Sequence, residues 1–278
     1  CGSASGRDTA PRLSAERHLR VKPMRYVLKL SYDGTRYAGW QRQKNALSVQ
    51  EALEDGMARA LGGKYSVTAS GRTDAGVHAA GQTCHFDAEG LTVPPEKLPD
   101  CINRFLPADI RVLEGRTAGQ MFDCNRSAKR KTYRYSLYVS EREMPLKERY
   151  AVRIGAAPPL GALEKAAKLF EGEHDFKAFC ASGSAVKTTV RRIYFVRVEE
   201  SETFGGRDIS VSVCGNGFLY NMVRTLVGEL LELASGKRSE ESLALAFASG
   251  KRELLGKTMP AKGLTLMSVE YGEDINRL

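Results

Sequence analysis

"RYVLKLSYDG" (25–34) and the "SVQEALEDGMARALGG" (48–63) that follows it decide the fold class. The first stretch alternates apolar and polar residues and stops at Asp33-Gly34, as a strand with one buried face and a closing turn does. The second places Ser48 and Glu51 at capping-box spacing, lines up Val49, Leu53, Met57 and Leu61 on one stripe, and ends in Gly62-Gly63. A period of two therefore gives way to a period of 3.6, strand to amphipathic helix. The grammar continues through the chain. Strands are expected over "KYSVTASG" (64–71), "GQTCHFD" (81–87) and "DIRVLEGRTA" (109–118), and a second helix over 94–107. Beyond Gly119 the pattern resumes. Strands are expected at 130–140, 190–200, 207–215 and 263–272, and helices at 160–172, 218–236 and 239–250. The expectation is an α+β protein of two similar halves, 24–119 and 120–278. Residues 1–23 lack periodicity and read as a disordered leader or cloning extension, with an RNA-touching basic arm as the functional alternative.

Charge narrows the partner. The 278 residues carry 42 basic against 33 acidic side chains, a net +9. A polyanion, nucleic acid before anionic membrane, suits that balance. No apolar run approaches the roughly 20 residues needed to cross a bilayer. The six cysteines are widely spaced without a C-x-x-C pair, which argues for reduced thiols in a cytoplasmic protein rather than a disulfide framework. His78, Cys84 and His85 suggest the start of a metal site, weighed against a buried strand cysteine. P-loop, dinucleotide, zinc-protease, zinc-deaminase and nucleophile-elbow patterns are all missing, so nothing in the sequence asks for ATP, NAD or a metal.

Three stretches carry candidate chemistry. "ASGRTDAGVHAAGQ" (69–82) sets Asp74 beside Arg72 in a glycine-punctuated turn. Either this is a surface turn with a local salt bridge, or Asp74 is a nucleophile kept ionised by Arg72 or by an arginine from elsewhere. "RSAKRKTYRYSLY" (126–138) surrounds Tyr133 and Tyr135 with Lys129, Arg130, Lys131 and Arg134. Strand alternation puts both tyrosines on one face and Arg134 on the other, either as core rings beside a solvated charge run or as a stacking platform beside phosphate contacts. "GNGFLYNMVRTLVGEL" (215–230) places Arg224 on an apolar helix. Unless it snorkels, a buried arginine needs a carboxylate, and Asp74 is the candidate.

The nine residues "GRTDAGVHA" closely resemble the catalytic motif of tRNA pseudouridine synthases of the A type. "SYDGTRYAGWQRQ", "SVQEALE", "KTYRYSLY", "GEHDFKAFC", "GFLYNMVRTLVGEL" and "PAKGLTLMSVEY" follow in the family's order from Met24 on. The resemblance implies uridine-to-pseudouridine isomerisation in the anticodon stem-loop of tRNA, around positions 38 to 40, by a cofactor-free cytoplasmic homodimer that uses neither DNA nor membrane. It implies two RNA-recognition-like halves sharing a mainly antiparallel sheet, with flanking helices and a basic central cleft. By the same resemblance Asp74 is the nucleophile and Tyr133 stacks on the base, with possible assistance to proton removal. Arg224 pairs with Asp74, Leu264 packs on the base and Arg72 shapes the pocket. Lys129, Arg130 and Lys131 complete the expected substrate-binding set. Attack at C1′ of the ribose, attack at C6 of the uracil and assisted elimination at the sugar all remain open. The family usually reads Phe-x-Ala-Arg where this chain has Phe122, Asp123, Cys124 and Asn125, which puts an RNA contact there in doubt. A non-catalytic tRNA-binding or RNA-chaperone protein of the same fold is the alternative. A carboxylate-based nucleosidase is the third reading, but it calls for a second carboxylate that the sequence does not mark.

Overall fold

The computed structural model describes residues 23–181, 187–204 and 206–272; the expected leader, apart from Pro23, lies outside them. One ten-stranded sheet organises the described residues. Strands β1 (Met24–Tyr32), β2 (Thr68–Ala69), β3 (His78–Ala88) and β4 (Ile110–Ala118) come from the first part of the chain. From the second come β5 (Ala128–Val139), β6 (Val152–Ile154), β7 (Gly172–Asp175), β8 (Val190–Thr203), β9 (Gly206–Gly215) and β10 (Leu264–Tyr271). The order is β4-β1-β3-β10-β5-β9-β8-β7, with β2 on β3 and β6 on β5. Pairing is antiparallel except for β10 with β3 and β5 with β6. The last strand is thus the seam, since β10 lies between β3 and β5.

Five α-helices accompany the sheet among the described residues: α1 (Val49–Leu61), α2 (Leu98–Ile102), α3 (Leu160–Lys168), α4 (Met222–Ala234) and α5 (Glu240–Ser249). Helix α1 starts where the capping box predicts, with the Ser48 hydroxyl accepting the Glu51 N–H at 3.2 Å. Its Val49, Leu53 and Met57 are buried with Leu28, Leu30 and Trp40 of the first part. Helix α4 is buried through Leu230 and joins the same core with Tyr135, Phe170 and Phe179.

Some expected elements differ. The 94–107 helix shrinks to a 3-10 turn at Pro95–Lys97 followed by α2, because Asn103 leaves the helix to serve the sheet. Its amide donates to the Val112 carbonyl and accepts the Val112 N–H, both at 2.8 Å. The 64–71 strand reduces to Thr68–Ala69, while the 81–87 strand extends back to His78. Helix α4 begins at Met222 rather than 218, because Asn221 sits at φ 65° and breaks the helical path. Strands β6 and β7 lie in segments with no marked alternation.

Candidate active site

The turn between β2 and β3 is held almost residue by residue. Ser70 donates its N–H to the Thr83 carbonyl at 2.7 Å. Its hydroxyl donates to Gln82 Oε1 at 2.6 Å, and Gln82 Nε2 returns to the Gly71 carbonyl at 2.9 Å. Thr73 shares a 2.8 Å hydrogen bond with the Tyr32 hydroxyl, and its carbonyl accepts the Trp40 N–H at 3.0 Å. The Val77 N–H closes the turn onto the Asp74 carbonyl at 3.1 Å. Gly39 permits the approach from the other side. It sits at φ 93°, and a Cβ there would lie 2.6 Å from the Thr73 carbonyl oxygen. The segment 32–40 is therefore the mould in which the Asp74 turn is cast.

Asp74 is left half-buried with its carboxylate towards α4. Arg224 NH1 lies 3.5 Å from Asp74 Oδ2. The guanidinium is fixed by two further acceptors, the Met259 carbonyl at 2.7 Å from Nε and Asn221 Oδ1 at 2.8 Å from NH1. The left-handed backbone of Asn221 aims its side chain at Arg224, and no cap hydrogen bond to the helix forms. Burial pushes the Asp74 carboxyl above its ordinary value, and Arg224 pulls it only partly back. This corrects the expectation of a carboxyl lowered by a neighbouring guanidinium, since the ion pair is long and desolvation outweighs it. It also decides between partners: Arg72 is exposed and makes no side-chain hydrogen bond or ion pair among the described residues.

Tyr133 lies on β5 opposite Leu266 of β10 and Val213 of β9. Its ring is buried and meets Phe218 edge-on at 5.1 Å. Burial raises its phenol pKa, and the nearby Tyr32 and Asp74 add to the effect, so it stays protonated at neutral pH. Tyr135, on the same face, donates to the Pro260 carbonyl at 2.6 Å and anchors the approach to Leu264. Leu264 is buried at the start of β10, in register with Tyr135. Asp74 and Arg224 are thus paired across the fold, and Tyr133 and Leu264 lie on the neighbouring strands β5 and β10, whose seam with β3 carries the Asp74 turn.

The basic run divides. Alternation along β5 puts Lys131 on the tyrosine face and Arg130 and Arg134 on the other, while Lys129 sits at an irregularity in the register with β10. Arg130 stacks on the Tyr194 ring, 4.6 Å from its centroid. Lys129 is exposed, whereas Lys131 turns inward to the Ser70 carbonyl and to Asn125 Oδ1, the latter at 3.1 Å. The residues noted as a possible metal site also separate. Cys84 is in the core, His85 Nδ1 lies 3.1 Å from Cys124 Sγ, and His78 Nδ1 accepts the Gly34 N–H at 3.1 Å. Sequence reasoning missed the supporting residues Tyr32, Gly39, Trp40 and Gln82, none of which carried a local signal. Asn221, three residues before Arg224, stood out beside it in the sequence.

Comparison with known proteins bears on this arrangement directly. Residues 30–125 and 166–272 match the family model described as tRNA pseudouridine synthase. The chain is 44% identical to tRNA pseudouridine synthase A of Syntrophotalea carbinolica, over 88% of this chain and 95% of that protein. It is 43% identical to that of Shouchella clausii, over 90% and 95%, and 41% identical to that of Ruminiclostridium cellulolyticum, over 88% and 98%. The family match takes in both the Asp74 turn and the Arg224 helix, and with relatives above 40% identity over most of their length the chain belongs to the tRNA pseudouridine synthase family and is an isomerase.

Proposed function

We propose that the protein converts uridine to pseudouridine in the anticodon stem-loop of tRNA, around positions 38 to 40, with Asp74 as the nucleophile. The carrying observation is a half-buried carboxylate held 3.5 Å from a guanidinium that is itself fixed by two other acceptors. The anion of such a carboxylate is poorly solvated, the condition in which it attacks carbon. Burial raises its pKa, and Arg224 keeps the anion available.

In this reading the target uridine leaves the helical stack, at a cost of a few kcal/mol, and enters beside Tyr133 and Leu264. The neutral Tyr133 ring supports the stacking role more than that of a resting base. Asp74 makes the enzyme–substrate bond and the C1′–N1 bond breaks. The uracil turns, C5 bonds to C1′, the bond to Asp74 breaks and restores the carboxylate, N1 takes up a proton and the C5 proton leaves, so atoms balance without oxidant or cofactor. Arg72 and Lys129, both exposed, are free to meet phosphates at the rim. Arg130 lies on the opposite face of β5, and its substrate contact would be outside the immediate pocket. We read 24–119 and 120–278 as two RNA-recognition-like halves flanking a basic cleft, joined through β10, in a cytoplasmic homodimer.

Mapping of pseudouridine in unmodified tRNA treated with the protein tests the substrate. Conversion confined to uridines near positions 38 to 40, and lost when these are replaced by cytidine, is expected. Conversion only elsewhere in the tRNA would reject the anticodon assignment.

A further inference from the structure

We infer that Lys131 is a positioning residue, which fixes the start of the Asp74 turn by clamping the Ser70 carbonyl, and is not a contact for tRNA phosphates. The inference rests on the reading of Asp74 as the reacting group.

The geometry is specific to this lysine. Its neighbours Lys129 and Arg130 are exposed, as phosphate contacts should be. Lys131 instead lies on an inner strand, its backbone in register with Gly215 of β9 and Val269 of β10. Its ammonium reaches across to β2's end, where it donates to the Ser70 carbonyl and, at 3.1 Å, to Asn125 Oδ1. Gly71 makes room: a Cβ there would lie 3.4 Å from Lys131 Nζ. Lys131 forms no salt bridge among the described residues, so this cation is directed at neutral oxygens rather than at an acid.

The turn needs such a clamp. Gln82 holds the Gly71 carbonyl, Tyr32 and Trp40 hold Thr73, and the Asp74 carbonyl is closed by Val77. The Ser70 carbonyl, four residues before the nucleophile, is held by Lys131. Burial lowers the Lys131 pKa to about 8, with Arg191 pushing the same way and Cys124 opposing, as suits an ammonium lodged in the protein. Asn125 stands where the family usually carries an arginine, and here it accepts a hydrogen bond from the clamp. A loss of rigidity at Ser70 would pass down the turn to Asp74, where a displacement of about 1 Å costs on the order of a hundredfold in rate.

The test separates rate from binding. Lys131→Met is compared with the parent for single-turnover pseudouridine formation at saturating tRNA, for tRNA dissociation constant, and for the dependence of binding on salt. The expected result is a rate lowered about tenfold or more, with affinity changed less than about threefold and an unaltered salt slope. A salt slope reduced by about one with the saturated rate intact would make Lys131 a phosphate contact and overturn the inference. So would a variant equal to the parent in both. Asn125→Ala, at an exposed position, removes one of the two ammonium acceptors without emptying the core. It is expected to lower the saturated rate at unchanged affinity, and an unchanged rate would count against the clamp. Asp74→Asn, run alongside, tests the underlying reading by itself: turnover by that variant would reject the nucleophile whatever Lys131 does.

Discussion

Arg224 illustrates how one side chain can hold a half-buried carboxylate while making most of its hydrogen bonds elsewhere. Its guanidinium spends donors on Asn221 and on the Met259 carbonyl, and the Asp74 contact at 3.5 Å is the longest of the three. Removing it leaves the desolvation of Asp74 unopposed. Arg224→Gln is therefore expected to move the acid limb of the single-turnover pH profile to higher pH and to lower the plateau rate. An acid limb that stays in place would separate Arg224 from Asp74. Asn221→Gly keeps the left-handed backbone but removes the oxygen that steers Arg224. Its thermal stability should be near the parent's while the rate falls several-fold, by about 1–2 kcal/mol of transition-state stabilisation. Stability follows the same pKa. A carboxyl raised on folding contributes stability that is complete below its unfolded pKa and lost as pH rises through its folded pKa. Asp74→Asn should accordingly melt no lower than the parent at neutral pH, and a lower melting temperature there would contradict the sign. The pair of Asp74 and Arg224 was legible in the sequence because a charge on an apolar helix demands a partner. Which arginine serves Asp74 was left open by the residues alone, since Arg72 is closer in sequence and only the fold turns it outward.

At the scale of elements, the parts that sequence described well are those whose signals are local. Helix α1 carries its own start in Ser48 and Glu51, and Ser48→Ala should cost about 1 kcal/mol, or roughly 2–4 °C in melting temperature, with the rate unaffected. Strand β5 alternates cleanly from Lys131 to Val139, so Tyr133 and Tyr135 share a face as expected. Other boundaries depend on contacts far along the chain. Asn103 ends the 94–107 helix for the sake of Val112, and nothing between Pro94 and Pro107 announces it. The mould around Asp74 is likewise non-local: Tyr32 and Trp40, at the two ends of the 32–40 segment, both meet Thr73. Gly39→Ala tests that mould. It sets a Cβ 2.6 Å from the Thr73 carbonyl at a φ that L-residues avoid, so both stability and turnover should fall. A fully active, stable Gly39→Ala protein would mean that the turn is not shaped from this side.

For the whole molecule, the sheet is what brings distant sequence together. The last described strand, β10, is hydrogen-bonded to β3 on one side and β5 on the other, so the Asp74 turn and the Tyr133 strand meet only once residues 264–271 are in place. Sequence patterning gave an α+β class but no strand order, because register across β3, β10 and β5 is set by pairings that periodicity does not encode. The net charge of +9 acts at this scale too, and tRNA affinity should fall steeply with salt. The most direct test of the account is tritium release from anticodon stem-loop RNA carrying 5-tritiated uridine, with the parent and Asp74→Ala measured side by side at matched RNA occupancy. Release by the parent, none by Asp74→Ala and RNA affinity within about tenfold of the parent is the expected result. Release by Asp74→Ala at the parent's rate, or binding without release by either protein, would contradict it.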